Sequence, residues 1–181
     1  MQKLNAKELR TSEVNVEVAQ AIVKNPIAII LDDVWDTYNV GSIFRLADAV
    51  AAEIVYLCGE TLTPPNSRIK KASINTWQWV NWEYVTTPIE AITKCKIQNS
   101  KCKIVAVEQD MRSVPFQEAK FEFPIAIIVG NETHGIKKEV LDASDMIVEL
   151  PMWGINISLN VMVSCGIVLY EILRQQGAGN K

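Results

Sequence analysis

Hydrophobic residues along the chain gather in short, β-branched runs: Ile27–Leu31, Ile54–Cys58, Ile104–Val107, Ile125–Val129 and Met146–Leu150. Runs of this length that are apolar throughout predict strands covered on both faces, as in a parallel sheet. Helical spacing separates them. Ile43, Leu46, Ala47 and Val50 predict a helix over Gly41–Val50, and Pro88 after Thr87 opens one over Pro88–Cys95. Two more are expected, over Ile136–Ala143 after Gly135 and over the apolar stretch Ser158–Arg174. Leu4, Leu9, Val14, Val18, Ala21 and Ile22 make Gln2–Lys24 an amphipathic extension of one or two helices, while the glycine-containing tail Gln175–Lys181 reads as frayed. Alternating strand and helix predict an α/β fold with a mostly parallel sheet flanked by helices, in one domain spanning 1–181.

Composition narrows the classes of function. None of the apolar runs approaches the roughly 20 residues of a membrane-spanning helix. No charged segment leads into an apolar stretch at the start, so a cytoplasmic location is expected. The four cysteines, Cys58, Cys95, Cys102 and Cys165, show no C-x-x-C spacing, and His134 is the one histidine. Reduced thiols and no metal site are therefore expected. The formal charge is −3, which argues against a wholly basic nucleic-acid binder. That acidity is unevenly spread: Lys103–Glu171 holds ten acidic and five basic residues, leaving the rest of the chain mildly basic.

Three polar segments follow predicted strands, where ligands bind in open α/β sheets. In Asn39–Ala47, Asn39 is a candidate helix cap and Ser42 a partner for an early amide; Arg45 is either a solvated charge or a fork aimed at a phosphate. In Gly130–Gly135 the spacing resembles a phosphate loop, but Ile136 stands where the lysine is required. Its glycines suit either a tight turn or close approach of a backbone or flat ligand, with Glu132 free to accept hydrogen bonds. In Leu150–Val161, Pro151 and Gly154 shape a loop, and Asn156 or Ser158 is the expected cap of the last helix. Ser158 and Asn160 are polar groups among apolar neighbours that call for partners, either caps or a ligand.

Taken together, N-x-G-x-x-x-R at Asn39–Arg45, G-x-E-x-x-G at Gly130–Gly135 and L-P-M-x-G-x-x-x-S-L-N-V at Leu150–Val161 resemble the SpoU/TrmH family of RNA 2′-O-ribose methyltransferases, in the SPOUT superfamily. The resemblance runs from about Ile27 to Leu173. It implies a deep C-terminal trefoil knot over 103–173, a topology that chain-connectivity rules alone would discourage. It also implies S-adenosylmethionine as cofactor, a homodimer, and tRNA or rRNA as substrate. Carried onto this chain, Val107, Gly130, Leu150 and Leu159 hold the adenine and ribose, with Asn131, Met152, Gly154 and Ser158 nearby. Arg45 is the residue at the reacting hydroxyl, as activator or phosphate clamp; Asn39 and Glu132 orient it, and Ser158 and Asn160 order the site. RNA contact is expected from Arg45 and from Arg68, Lys70 and Lys71, which follow the Pro64-Pro65 break. Trp77, Trp79 and Trp82 are either stacking platforms or packed core. The group Lys94, Lys96, Lys101 and Lys103 reads as solubilising charge, and His134 as a solvated loop residue. A non-catalytic knotted RNA-binding module is the alternative, opposed by the joint presence of Asn39, Arg45, Glu132, Ser158 and Asn160. A phosphate-loop nucleotidase fails on Ile136.

Overall fold

In the computed structural model, which describes Glu8, Leu9, Ala19 and residues 21–177, each apolar run becomes a strand. Most of the extension expected over Gln2–Lys24, and the tail past Gly177, lie outside the described residues. The strands are β1 (Asn25–Asp32), β2 (Ala52–Cys58), β3 (Trp82–Val85), β4 (Lys103–Val107), β5 (Val114–Pro115), β6 (Ile125–Val129) and β7 (Met146–Glu149). They form one sheet in the order β3-β2-β1-β6-β4-β7-β5, and every pairing is parallel. The central strand β6 is buried along its whole length, which explains why its sequence is apolar without alternation.

Helices cover both faces: α1 (Thr37–Ala49), α2 (Ser67–Ser73), α3 (Pro88–Gln98), α4 (Lys138–Asp142) and α5 (Val161–Gln175), with a 3-10 turn at Thr76–Gln78. Alternate residues of β1 point to opposite sides. Ile27, Ile29 and Leu31 pack with Phe44 of α1 and Val168 and Leu169 of α5. Ala28 and Ile30 join Ala91 and Ile92 of α3 and Val140 of α4 on the other side. The chain moves outward from β1 to β3 and then returns to β4, and β6 later enters between β1 and β4. Strand ends on both sides of that reversal carry the polar loops, the place where a doubly wound sheet opens a crevice.

Local chemistry sets the helix starts, and two expected caps are corrected. Thr87 caps α3 by accepting from the Glu90 amide, with Pro88 in the first turn as predicted. For α1 the cap is Asp36, accepting from the Tyr38 amide at 2.8 Å, so Asn39 lies inside the helix. Asn160 caps α5 through the amides of Met162 and Val163, so that helix begins at Val161; neither Asn156 nor Ser158 is the cap. The helix expected from Ile136 begins at Lys138, because Ile136 is buried in the preceding loop.

The aromatic segment is packed rather than offered to solvent. Trp79 is buried and its indole N–H donates to Asp48 Oδ1 at 2.7 Å. Trp82 meets Phe44 edge-on, with ring centroids 6.5 Å apart, and Trp77 also packs against the core. A role as stacking platforms is therefore excluded for Trp79 and taken by core packing for the other two.

Gly41 has a packing reason. A Cβ there would sit 2.6 Å from Ala72 Cβ and 2.8 Å from the Ile69 carbonyl oxygen, so its absence lets α1 and α2 touch. Gly41→Ala is expected to destabilise the fold by about 1–3 kcal/mol through overpacking, read as a lowered midpoint in thermal denaturation. An unchanged midpoint would show that the two helices separate freely.

Candidate active site

Glu132, in the loop after β6, is the centre of a hydrogen-bonded chain. One carboxylate oxygen, Oε1, accepts from the Asp36 amide (3.1 Å) and from Asn39 Nδ2 (2.8 Å); the other, Oε2, accepts from the Trp35 amide (3.1 Å). Asn39 Oδ1 in turn accepts from Asn160 Nδ2 at 2.9 Å. Donor and acceptor ends of the Asn39 amide are both engaged, which determines its orientation. One residue from each of the three polar segments is thereby joined. Burial pushes the Glu132 carboxyl up, but the donors from Asn39 and the backbone amides outweigh it and hold the group below the ordinary glutamate value.

The same loop is tied to the end of β1. Asn131 donates from Nδ2 to the Asp33 carbonyl (2.7 Å), while its Oδ1 accepts from the Thr133 and His134 amides. Lys137 Nζ pairs with Asp33 at 2.6 Å. Buried Asp32 accepts from the Lys137 amide, and its desolvation raises its pKa despite that bond.

Both loop glycines are sterically required. A Cβ on Gly130 would fall 2.5 Å from the Gly135 carbonyl carbon, and Gly135 has φ +65° with the Glu108 carboxylate where its Cβ would stand. Backbone bonds between Asn131 and Gly135 close this turn. Glu108 Oε2 accepts from the Ile136 amide, so the loop is pinned from β4 as well.

Between this loop, the end of β4 and the segment before α5 lies a cleft of about 520 Å³, within the range of small-molecule sites. Of the residues assigned to the cofactor, Val107, Gly130, Asn131, Leu150, Met152, Ser158 and Leu159 line it, as do Glu132 and Asn160. Gly154 does not: nothing would lie within 4 Å of a Cβ there, and the loop carries it into solvent. Ser158 lies on the wall, its amide and hydroxyl both directed to Asn156 Oδ1. Glu108, Gln109, Thr133, Glu149, Asn156 and Ser164 also line the cleft and were missed. Glu108 and Gln109 directly follow the apolar run of β4, so the rule of strand C-terminal ends would have found them. Gln109 donates to the Ile157 carbonyl, holding the two walls together.

Arg45 is not brought into the cleft. It is exposed on α1 with no hydrogen bond or ion pair among the described residues, so Asn39 and Glu132 bond to each other and not to it. Arg68, Lys70 and Lys71 lie on α2, also without ion pairs among the described residues. By contrast, Lys94 pairs with Glu83 and Lys96 with Asp145, which fits the solubilising role expected for that group. His134 is exposed but meets the Trp35 ring edge-on at 5.7 Å. The four cysteines are free and buried, and no described helix is long and apolar enough to cross a membrane.

A family model described as the SpoU rRNA methylase family matches residues 26–170. The tRNA (guanosine(18)-2′-O)-methyltransferase of Aquifex aeolicus is 33% identical over 156 residues, 83% of this chain and 70% of that protein. The 23S rRNA (guanosine-2′-O-)-methyltransferase RlmB of Ralstonia nicotianae is 29% identical over 88% of this chain and 63% of its own length. This chain is thus shorter than both. Among solved structures, the TrmH/SpoU tRNA modifying enzyme of A. aeolicus superposes with a TM-score of 0.77 at 28% identity, covering 96% of this chain and 83% of that one. An AdoMet-bound rRNA methyltransferase from Sinorhizobium meliloti gives 0.75 at 26% identity, over 86% of this chain and 59% of that one.

Since the Glu132 carboxyl lies below its ordinary value of 4.5, its bonds stabilise the fold above that pH. The contribution is lost as the pH falls from 4.5 through the folded-state value. Glu132→Gln is expected to be less stable at pH 7 and to lose less stability than the parent on acidification across that window, measured by urea denaturation. Parallel stability–pH curves would remove Glu132 as a pH-linked anchor.

Proposed function

The chain belongs to the SpoU rRNA methylase family, and we propose that it is an S-adenosylmethionine-dependent methyltransferase acting on the ribose 2′-hydroxyl of a nucleotide in tRNA or rRNA. The observation that carries this reading is the cleft between the second and third motif loops, joined through Glu132, Asn39 and Asn160 to the helix bearing Arg45.

The cleft suits the cofactor chemically. Val107, Val129, Leu150, Met152 and Leu159 offer apolar walls for a flat base, and Asn131, Glu108, Gln109 and Ser158 offer polar groups for ribose and amino-acid ends. When bound, S-adenosylmethionine supplies an electrophilic methyl group, so the protein's task is alignment and help with the departing hydroxyl proton. Arg45 clamps the phosphate beside the target ribose and offsets charge building on the 2′-oxygen. It is a poor base, because a guanidinium offers N–H donors and no acceptor. Glu132 and Asn39 hold the start of α1, the helix that carries Arg45 outside the cleft, while Asn160 and Ser158 order the cleft's wall.

We read residues 1–181 as one methyltransferase domain, with 1–24 an N-terminal extension and 103–173 its cofactor half threaded as a trefoil knot. The central entry of β6 between β1 and β4, and the return of α5 onto α1, support that threading. A homodimer belongs to the same reading. Val163, Ile167 and Tyr170 expose one face of α5 at i, i+4, i+7 spacing, and Trp153, Ile155 and Ile157 are exposed in the loop before it. Free cysteines suit a cytoplasmic location.

Incubation with methyl-labelled S-adenosylmethionine and deproteinised tRNA or rRNA, followed by nucleoside mass analysis, is expected to give a 2′-O-methylated nucleoside. Label on a base, or RNA binding without transfer, would contradict the assignment, the latter pointing to a non-catalytic module. Arg45→Ala is expected to keep cofactor affinity by calorimetry and lose transfer by on the order of 100-fold or more. Retained turnover would remove Arg45 from the chemistry.

A further inference from the structure

The search for a stacking surface leads away from the buried tryptophans to Trp35. This residue is 46% exposed, although it directly follows buried Val34 and lies three residues past the end of β1. Its indole is held in place: Nε1 donates to Glu60 Oε2 at 3.1 Å, and the His134 ring meets it at an interplanar angle of 83°. Its backbone amide donates to Glu132, so the ring is anchored to the carboxylate that joins the three motifs. Tyr38, 48% exposed, lies one turn further on and shares the face of α1 with Arg45, seven residues beyond it.

We propose that Trp35, with His134 in edge contact, is the platform on which an RNA base stacks when the target nucleotide is presented; this rests on the RNA methyltransferase reading above. A solvated indole costs free energy unless something covers it, and the neighbouring charges indicate what does. Arg45, Arg68, Lys70 and Lys71 are cations without ion pairs among the described residues, on two helices in direct contact through Gly41 and Ala72. Cations without ion pairs among the described residues, on the helix that follows a fixed aromatic ring and on the helix packed against it, match a polyanion with flat bases: phosphates go to the cations and a base to the indole. Glu60 does not oppose this, since its Oε2 carboxylate oxygen accepts from the indole N–H at the ring edge and does not cover a ring face.

The test compares wild type, Trp35→Ala and Trp35→Phe for affinity toward deproteinised total tRNA and a nine-nucleotide single-stranded RNA, with S-adenosylmethionine affinity measured in parallel. Trp35→Ala is expected to weaken RNA binding on the order of 10-fold or more, with cofactor affinity within about twofold of wild type. The slope of log affinity against log salt is expected to stay unchanged, because no phosphate contact is lost. Trp35→Phe is expected to recover most of the loss, and the KM for tRNA to rise more than kcat falls. Equal RNA affinity for wild type and Trp35→Ala, or equal losses in both variants together with lost cofactor affinity, would overturn the platform. A wild-type protein that binds neither RNA nor cofactor would instead overturn the methyltransferase reading itself.

Discussion

The site depends on one shared amide. Asn39 gives its Nδ2 to Glu132 and takes Asn160 Nδ2 on its Oδ1, so two segments from distant parts of the chain are held to α1 by a single side chain. Neither neighbour is free to relax alone. Glu132 also binds the amides of Trp35 and Asp36 ahead of α1, and Asn160 also caps α5. Loss of this link would leave polar groups without partners at the start of two helices, where unmet amides are costly.

Several other features serve that link. Gly130 and Gly135 allow the turn that presents Glu132, and both positions exclude a side chain on steric grounds. Asn131, Asp33 and Lys137 tie the same turn to the end of β1. Gly41 brings α1 onto α2, which sets Arg68, Lys70 and Lys71, without ion pairs among the described residues, on a helix packed against the one carrying Arg45. Gly154 apart, the glycine, asparagine and glutamate positions of the motifs thus have structural duties, while Arg45 has none among the described residues. An arginine with no partner among the described residues, on a helix so firmly placed, suits the phosphate-clamp role proposed for it.

Much of this was legible from residue order. The run Ile125–Val129 is the strand β6 with the same ends, because a fully buried strand has no polar positions to blur its limits. The strands β3 and β5 were missed: Trp82–Val85 mixes polar and apolar residues at a sheet edge, and Val114–Pro115 is only two residues long. The basic segment around Arg68 gave no helical period, since α2 is short and mostly exposed. Caps were harder. Asp36 and Asn39 both favour the role, as do Asn156, Ser158 and Asn160, and only the backbone geometry separates them. Seven of the eight residues assigned to the cofactor line the cleft; Gly154 fails because its loop leaves the wall. Glu132 as an acceptor and Asn160 as a group needing a partner were legible, but that both meet Asn39 was not, the contacts spanning 93 and 121 positions.

The most direct test of the central claim is a double-mutant cycle on Asn39→Ala and Asn160→Ala, with S-adenosylmethionine affinity and unfolding free energy read for each variant. If one amide holds the motif loops together, the effects are non-additive, with a coupling of about 1 kcal/mol in stability and with cofactor affinity already lowered in each single variant. Additive effects, or single variants that bind the cofactor like wild type, would contradict the account.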